Sequence, residues 1–180
     1  MALTELNTYT INDMYNLPEG QRAELIDGKV YYMAPATRNH QRIVGELFAT
    51  IREHIRRNTF KGVVDITPFG VFIDADDMSD VEPDICIICD ENKLDERGCN
   101  GAPDWVIEVV SPASRRIDYT TKLFKYRAAG VREYWIVDAD KSRVMVYNFY
   151  QDDMNEYSFI EDIPAGIYTD LSVRMSNLEL

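Results

Sequence analysis

Apolar and polar residues alternate with different periods along the chain, and the periods predict its elements. Between Arg38 and Asn58, the residues Ile43, Val44, Leu47, Phe48, Ile51 and Ile55 recur at intervals of three and four, with Arg52, Glu53, Arg56 and Arg57 off that face. This is the pattern of one long amphipathic helix. Ile11, Met14 and Leu17 predict a shorter helix over Tyr9 to Leu17, stopped before Pro18. Asp27-Gly28 stands between Glu24-Leu25-Ile26 and Val30-Tyr31-Tyr32-Met33 and predicts a tight hairpin.

Four β-like runs follow. They are Gly62 to Ile66, Phe69 to Ile73, Asp84 to Cys89 and Trp105 to Val110, each set off by prolines. Ile85-Cys86-Ile87-Ile88 and Trp105-Val106-Ile107 are almost continuously apolar, as in strands covered on both faces. Asp118 to Ala129 predicts a second helix, ended by Gly130. Glu133 to Val137 and Val144 to Tyr150 predict a hairpin turning at Asp138 to Ser142, with weaker strand signals at Glu156 to Ile160 and Leu171 to Met175. No repeat or long linker interrupts the order. The expectation is one α/β domain over residues 1–180, a central mixed β-sheet flanked by helices.

Composition narrows the function classes. The 180 residues are 46% hydrophobic and 28% charged, which suits a chain that buries its own core without a disulfide or metal staple. No apolar run approaches the roughly 20 residues of a membrane helix, and Met1 to Asn16 has neither the basic nor the apolar region of a signal peptide. Three cysteines, Cys86, Cys89 and Cys99, suit a reducing, cytoplasmic compartment. The net charge of −12 excludes a broad basic surface. Contact with nucleic acid would need a local basic face, a bound cation or an oligomer.

Two acids sit where a purely structural chain would not put them. Asp84 opens an apolar strand directly after Pro83, and Glu108 lies inside Trp105-Val106-Ile107-Glu108-Val109-Val110, on the face of Val106 and Val110. A carboxylate placed so either takes up a proton, pairs with an arginine or meets a divalent metal. Lys122 follows Asp118 by four residues on the second predicted helix and could reach that strand, or could be a solvated surface lysine. Glu24 opens its strand as either a surface acid or a ligand. His40 falls in the first turn of the long helix.

In their order, these residues resemble a family. Glu24-Leu25-Ile26-Asp27-Gly28, Met33-Ala34-Pro35 with His40, Glu82-Pro83-Asp84, Pro103-Asp104 through Ser111-Pro112, Asp118 with Lys122, and Tyr126 through Asp138 are similar to the blocks of the Uma-two family of restriction-endonuclease-like proteins, in the PD-(D/E)XK nuclease superfamily. The resemblance covers about residues 24–138, leaving strands over 144–180. It implies a restriction-endonuclease-like core and a metal-dependent endonuclease acting on phosphodiester bonds of DNA. Mg²⁺, or Mn²⁺ in its place, would be held by Asp84 and Glu108, with Glu24 near the ion and Lys122 as the basic residue that orients a water. The superfamily lysine normally stands two residues after the glutamate, where this chain has Val110, so the resemblance moves it to Lys122, with Lys125 as the fallback.

Of the basic residues, Arg115, Arg116, Lys122, Lys125 and Arg127 adjoin the expected site and form the better candidate for a phosphate-facing patch than Arg52, Arg56, Arg57 and Lys61. Cys86-x-x-Cys89 is not a zinc pair, because residues three apart on a strand face opposite sides. The acidic run from Asp74 to Glu82 lacks the glycine and the spacing of a calcium loop. The main alternative is a catalytically inactive interaction module on a nuclease fold, with an acidic mimic of DNA as a third reading. Homodimerisation through the C-terminal strands is an option.

Overall fold

A computed structural model describes residues 8–58 and 60–179. Helix α1 (Ile11–Tyr15) leads into the hairpin β1 (Ala23–Ile26) and β2 (Lys29–Tyr32), and helix α2 (Arg38–Asn58) follows. Next come β3 (Val63–Ile66), β4 (Gly70–Phe72), β5 (Ile85–Ile88), β6 (Leu94–Asp95), β7 (Gly98–Asn100) and β8 (Trp105–Val109). A helical segment runs from α3 (Arg115–Ile117) through a π-turn at Asp118–Lys122 into α4 (Leu123–Ala129). The chain ends with β9 (Glu133–Asp138), β10 (Arg143–Asn148), β11 (Asp153–Ser158), β12 (Ile163–Pro164) and β13 (Ser172–Val173).

Six strands form one mixed sheet in the order β11-β10-β9-β8-β5-β3. Its only parallel pair is β8 with β9. Parallel neighbours need a crossover, and the helical segment 115–129 supplies it, so that segment lies back over the strands it joins. The smaller sheets are β1-β2, β4-β7-β6 and β12-β13.

The period of two along the central strands separates two apolar layers. Trp105, Ile107 and Val109 of β8 join Ile85 and Ile87 of β5 against α2, whose Ile43, Val44, Leu47, Ile51 and Ile55 are buried. Each such side chain contributes roughly 1.5–3 kcal/mol relative to exposure. On the opposite face, Val106, Cys86, Ile88, Tyr134 and Ile136 meet Tyr126 of α4. Glu108 belongs by its position to that second face, under the crossover helix.

Turn chemistry places the ends. Asp27 (φ +50°) and Gly28 (φ +73°) both take the left-handed conformation, as a two-residue hairpin of this type requires. A Cβ at Gly28 would lie 2.4 Å from Thr8 Cγ2. Gly130 (φ +92°) closes α4, with Val131 N donating to Tyr126 O at 3.0 Å. The long-helix bounds match the periodicity. The second helix starts earlier than its pattern predicts, at Arg115, because Ser114 and Ser111 cross-bond ahead of it. The two- and three-residue strands β6, β7 and β12 have no periodic signature and were not anticipated. No helix among the described residues is long and apolar enough to cross a membrane, and the cysteines are free thiols.

Asp80 yields a pH prediction. Its amide and carbonyl bridge to Leu25, but its Oδ1 is buried without a hydrogen-bond partner. Burial, then the charges of Glu82 and Glu24, push its carboxyl up to about 7. An acid whose folded pKa lies above its unfolded value of roughly 3.9 supports the fold below that value and loses the support as pH rises through the folded pKa. Asp80→Asn should therefore match the parent near pH 4. It should gain stability progressively up to pH 7, reaching about 2 kcal/mol once allowance is made for solvent reaching the carboxyl. Urea unfolding across this range measures it.

Candidate active site

The crossover helix delivers Lys122 to the buried face of β8. Its Nζ lies 2.7 Å from Glu24 Oε1 on β1, 2.8 Å from Glu108 Oε1 on β8, and 3.8 Å from Asp118 Oδ1 one turn earlier. The lysine is only 4% exposed. The π-turn explains the reach. Asp118, Lys122 and Tyr126 stand four residues apart and are all buried. In a regular helix that spacing drifts round the axis, and one wide turn counters the drift.

Each acid is held by one oxygen. Glu108 Oε1 also accepts from Tyr126 OH at 2.8 Å. Glu24 Oε1 also accepts from Glu82 N at 2.9 Å. Asp84 Oδ2 accepts from Val109 N at 2.8 Å and faces His40 Nε2 at 3.1 Å. His40 reaches it because Thr37 caps α2, its Oγ1 accepting from His40 N at 3.2 Å. The second oxygens of Glu24, Asp84 and Glu108 have no donor among the described residues, and none of them is sealed from solvent. Glu24, Asp84 and Glu108 all line a cleft of about 580 Å³.

The electrostatics leave this cluster short of positive charge. Three carboxylates surround one ammonium, and Asp84 adds a fourth acid beside them. Burial pushes the Glu108 carboxyl well up, Lys122 opposes the shift, and Asp118 and Asp84 add to it. Burial likewise raises Asp118 to about 6 against the pull of Lys122. Burial disfavours the Lys122 ammonium, but Glu108, Glu24 and Asp118 outweigh it and hold the lysine charged. For His40, burial is outweighed by Asp84, which holds the imidazole above its usual range. An acid cluster that raises its own proton affinity also favours a cation.

The donor set suits Mg²⁺. That ion takes one or two carboxylates, keeps several waters and uses substrate phosphate for the rest of its shell. Asp84 and Glu108 each offer one restrained carboxylate with one open oxygen. Among the described residues no group of three or more His, Cys, Asp or Glu forms a complete chelate, which such a shell does not require.

The structure thus brings together Asp84, Glu108, Lys122 and Glu24, which the sequence singled out. Asp118 as a buried acid and Tyr126 as a donor to Glu108 were not singled out. Their signal is the four-residue spacing with Lys122. Lys125 is elsewhere, paired with Asp27 and Asp74. The expected phosphate-facing patch is not free either. Arg115 pairs with Asp138 and Asp140, Arg127 with Asp152, and Lys122 and Lys125 as above, leaving Arg116 as the member without an ion pair among the described residues. The acidic partners of Arg115, Lys125 and Arg127 lie 23 to 98 positions away in the chain, where inspection of the helix alone does not find them.

The architecture is shared with a solved structure. The crystal structure of a putative nuclease belonging to DUF820, from Anabaena variabilis ATCC 29413, matches with a TM-score of 0.77 at 21% identity, over 94% of this chain and 96% of that one. No curated protein matches the chain. A family model described as "Putative restriction endonuclease" matches residues 10–166, and the chain therefore belongs to the Uma2 family.

Proposed function

We propose that the protein is a Mg²⁺-dependent endonuclease that hydrolyses phosphodiester bonds of nucleic acid, DNA in the first instance, in a reducing cytoplasmic compartment. The observation that supports this most is the pair of buried carboxylates, Asp84 and Glu108, each fixed by protein donors at one oxygen and both lining the same cleft. Asp84 and Glu108 would hold the ion. The chemistry that Mg²⁺ supplies when bound is acidification of water and neutralisation of charge building on phosphoryl oxygens.

The chain's own residues do the positioning. Tyr126 and Lys122 fix the Glu108 carboxylate, and Val109 N and His40 fix that of Asp84. Glu24 shares Lys122 with Glu108 and would add a carboxylate near the ion. Both close contacts of the ammonium are to carboxylates, so Lys122 positions Glu24 and Glu108, and its third N–H is left to orient a water. Mn²⁺ should substitute for Mg²⁺, since both accept carboxylate and water oxygens.

Purified protein incubated with labelled single- and double-stranded DNA should cleave only when Mg²⁺ or Mn²⁺ is present. Asp84→Asn should lower the rate by about 10³-fold, which corresponds to about 4 kcal/mol of transition-state stabilisation. Undiminished cleavage by that variant would sink the proposal.

A further inference from the structure

We infer that the cleft takes an unpaired nucleic-acid strand, with one base stacked on Tyr32, and does not take an intact duplex. The inference rests on the nuclease reading and specifies its substrate. Tyr32 ends β2 at the cleft rim and is 69% exposed, and its ring and hydroxyl have no partner among the described residues. Beside it Tyr31 is anchored from below against the apolar layer of α4. An exposed, unpartnered aromatic ring next to a catalytic cleft is what base stacking uses, and every base has a face to stack.

Charge points the same way. A duplex-binding surface neutralises several phosphates with lysine and arginine. Six carboxylates line this cleft, against Arg22, Lys122 and His40, the last paired with Asp84. Of those bases, Lys122 is buried among acids, and Arg22 is held by Glu82 and by Thr67 Oγ1. The neighbouring helix offers little more, since its basic side chains other than the exposed Arg116 are tied into ion pairs. The volume, about 580 Å³, is that of a drug-sized ligand, roughly one or two nucleotides, not a length of helix.

Binding in Ca²⁺, measured by fluorescence anisotropy, tests this without relying on cleavage. The probes are a labelled oligodeoxynucleotide, its ribonucleotide counterpart and their duplexes. Either unpaired strand should bind at least about tenfold more tightly than its duplex, with a salt slope corresponding to about one to three phosphates. Tyr32→Ala should weaken binding by about 5- to 100-fold. Tyr32→Trp should retain it, with both variants melting like the parent. Tighter binding of duplex, or no effect of Tyr32→Ala, would overturn the inference and leave the nuclease reading standing. Failure of every probe to bind would overturn both.

Discussion

Replacing Lys122 with methionine should destabilise the protein by about 3–5 kcal/mol, because it strands buried carboxylates without their cation. For a chain of this size that is a fall in Tm of about 6–20 °C. Methionine retains most of the lysine's apolar stem, so lost packing contributes little. Glu24 and Glu108 lose a partner at 2.7 and 2.8 Å, and Asp118 loses one at 3.8 Å.

The loss should depend on pH with a definite sign. In the variant the Glu108 and Asp118 carboxyls titrate higher when folded than when unfolded. Their contribution is therefore favourable at low pH and disappears as pH rises through the folded values, of which Asp118 already stands near 6 in the parent. The variant should approach parental stability near pH 4 and fall furthest behind at pH 8. Adding Glu24→Gln and Glu108→Gln should recover most of the difference. Calorimetric melting of the three proteins at both pH values checks this, and a loss that ignores pH would point to packing instead of charge.

Glu108→Gln should separate stability from activity. The amide oxygen still accepts from Lys122 and Tyr126, in place of the carboxylate oxygen that holds both at 2.8 Å. The substitution also removes a charge that burial disfavours. We expect the melting free energy to stay within about 1 kcal/mol of the parent's, against a fall in cleavage of about 10³-fold. This is the behaviour of a site whose acids are retained for chemistry at a cost to the fold. Parental cleavage by a well-folded Glu108→Gln would remove Glu108 from the mechanism.

The parts that could be read in the sequence are those with a strong local period. The apolar face of α2 and the doubly buried strands β5 and β8 follow from spacing alone, because one side chain in two or one in 3.6 must meet a core. Glu108 could be found because it breaks an otherwise apolar strand. Lys122 could be tied to the site only through the family resemblance, since a helix that follows the Glu108 strand can pack back over it but its spacing alone equally suits a solvated surface lysine. The His40 to Asp84 contact joins residues 44 positions apart and depends on how the capped end of α2 meets the edge of β5. Tyr126 has the look of an ordinary core aromatic until the π-turn brings it into line with Lys122. The basic patch was misread for a related reason. A lysine or arginine in a sequence looks available, whereas Asp27, Asp74, Asp138, Asp140 and Asp152 come to those cations only in the folded chain.

Titration calorimetry of Mg²⁺ into the metal-free protein addresses the central claim directly. The parent should bind one ion with a millimolar or tighter Kd and release protons as it does so, since the ion displaces them from the Glu108 and Asp118 cluster. Asp84→Asn and Glu108→Gln should each abolish the binding heat. Absence of Mg²⁺ and Mn²⁺ binding by the folded parent, or binding that both variants retain, would contradict the account and leave a nuclease fold acting as an interaction module.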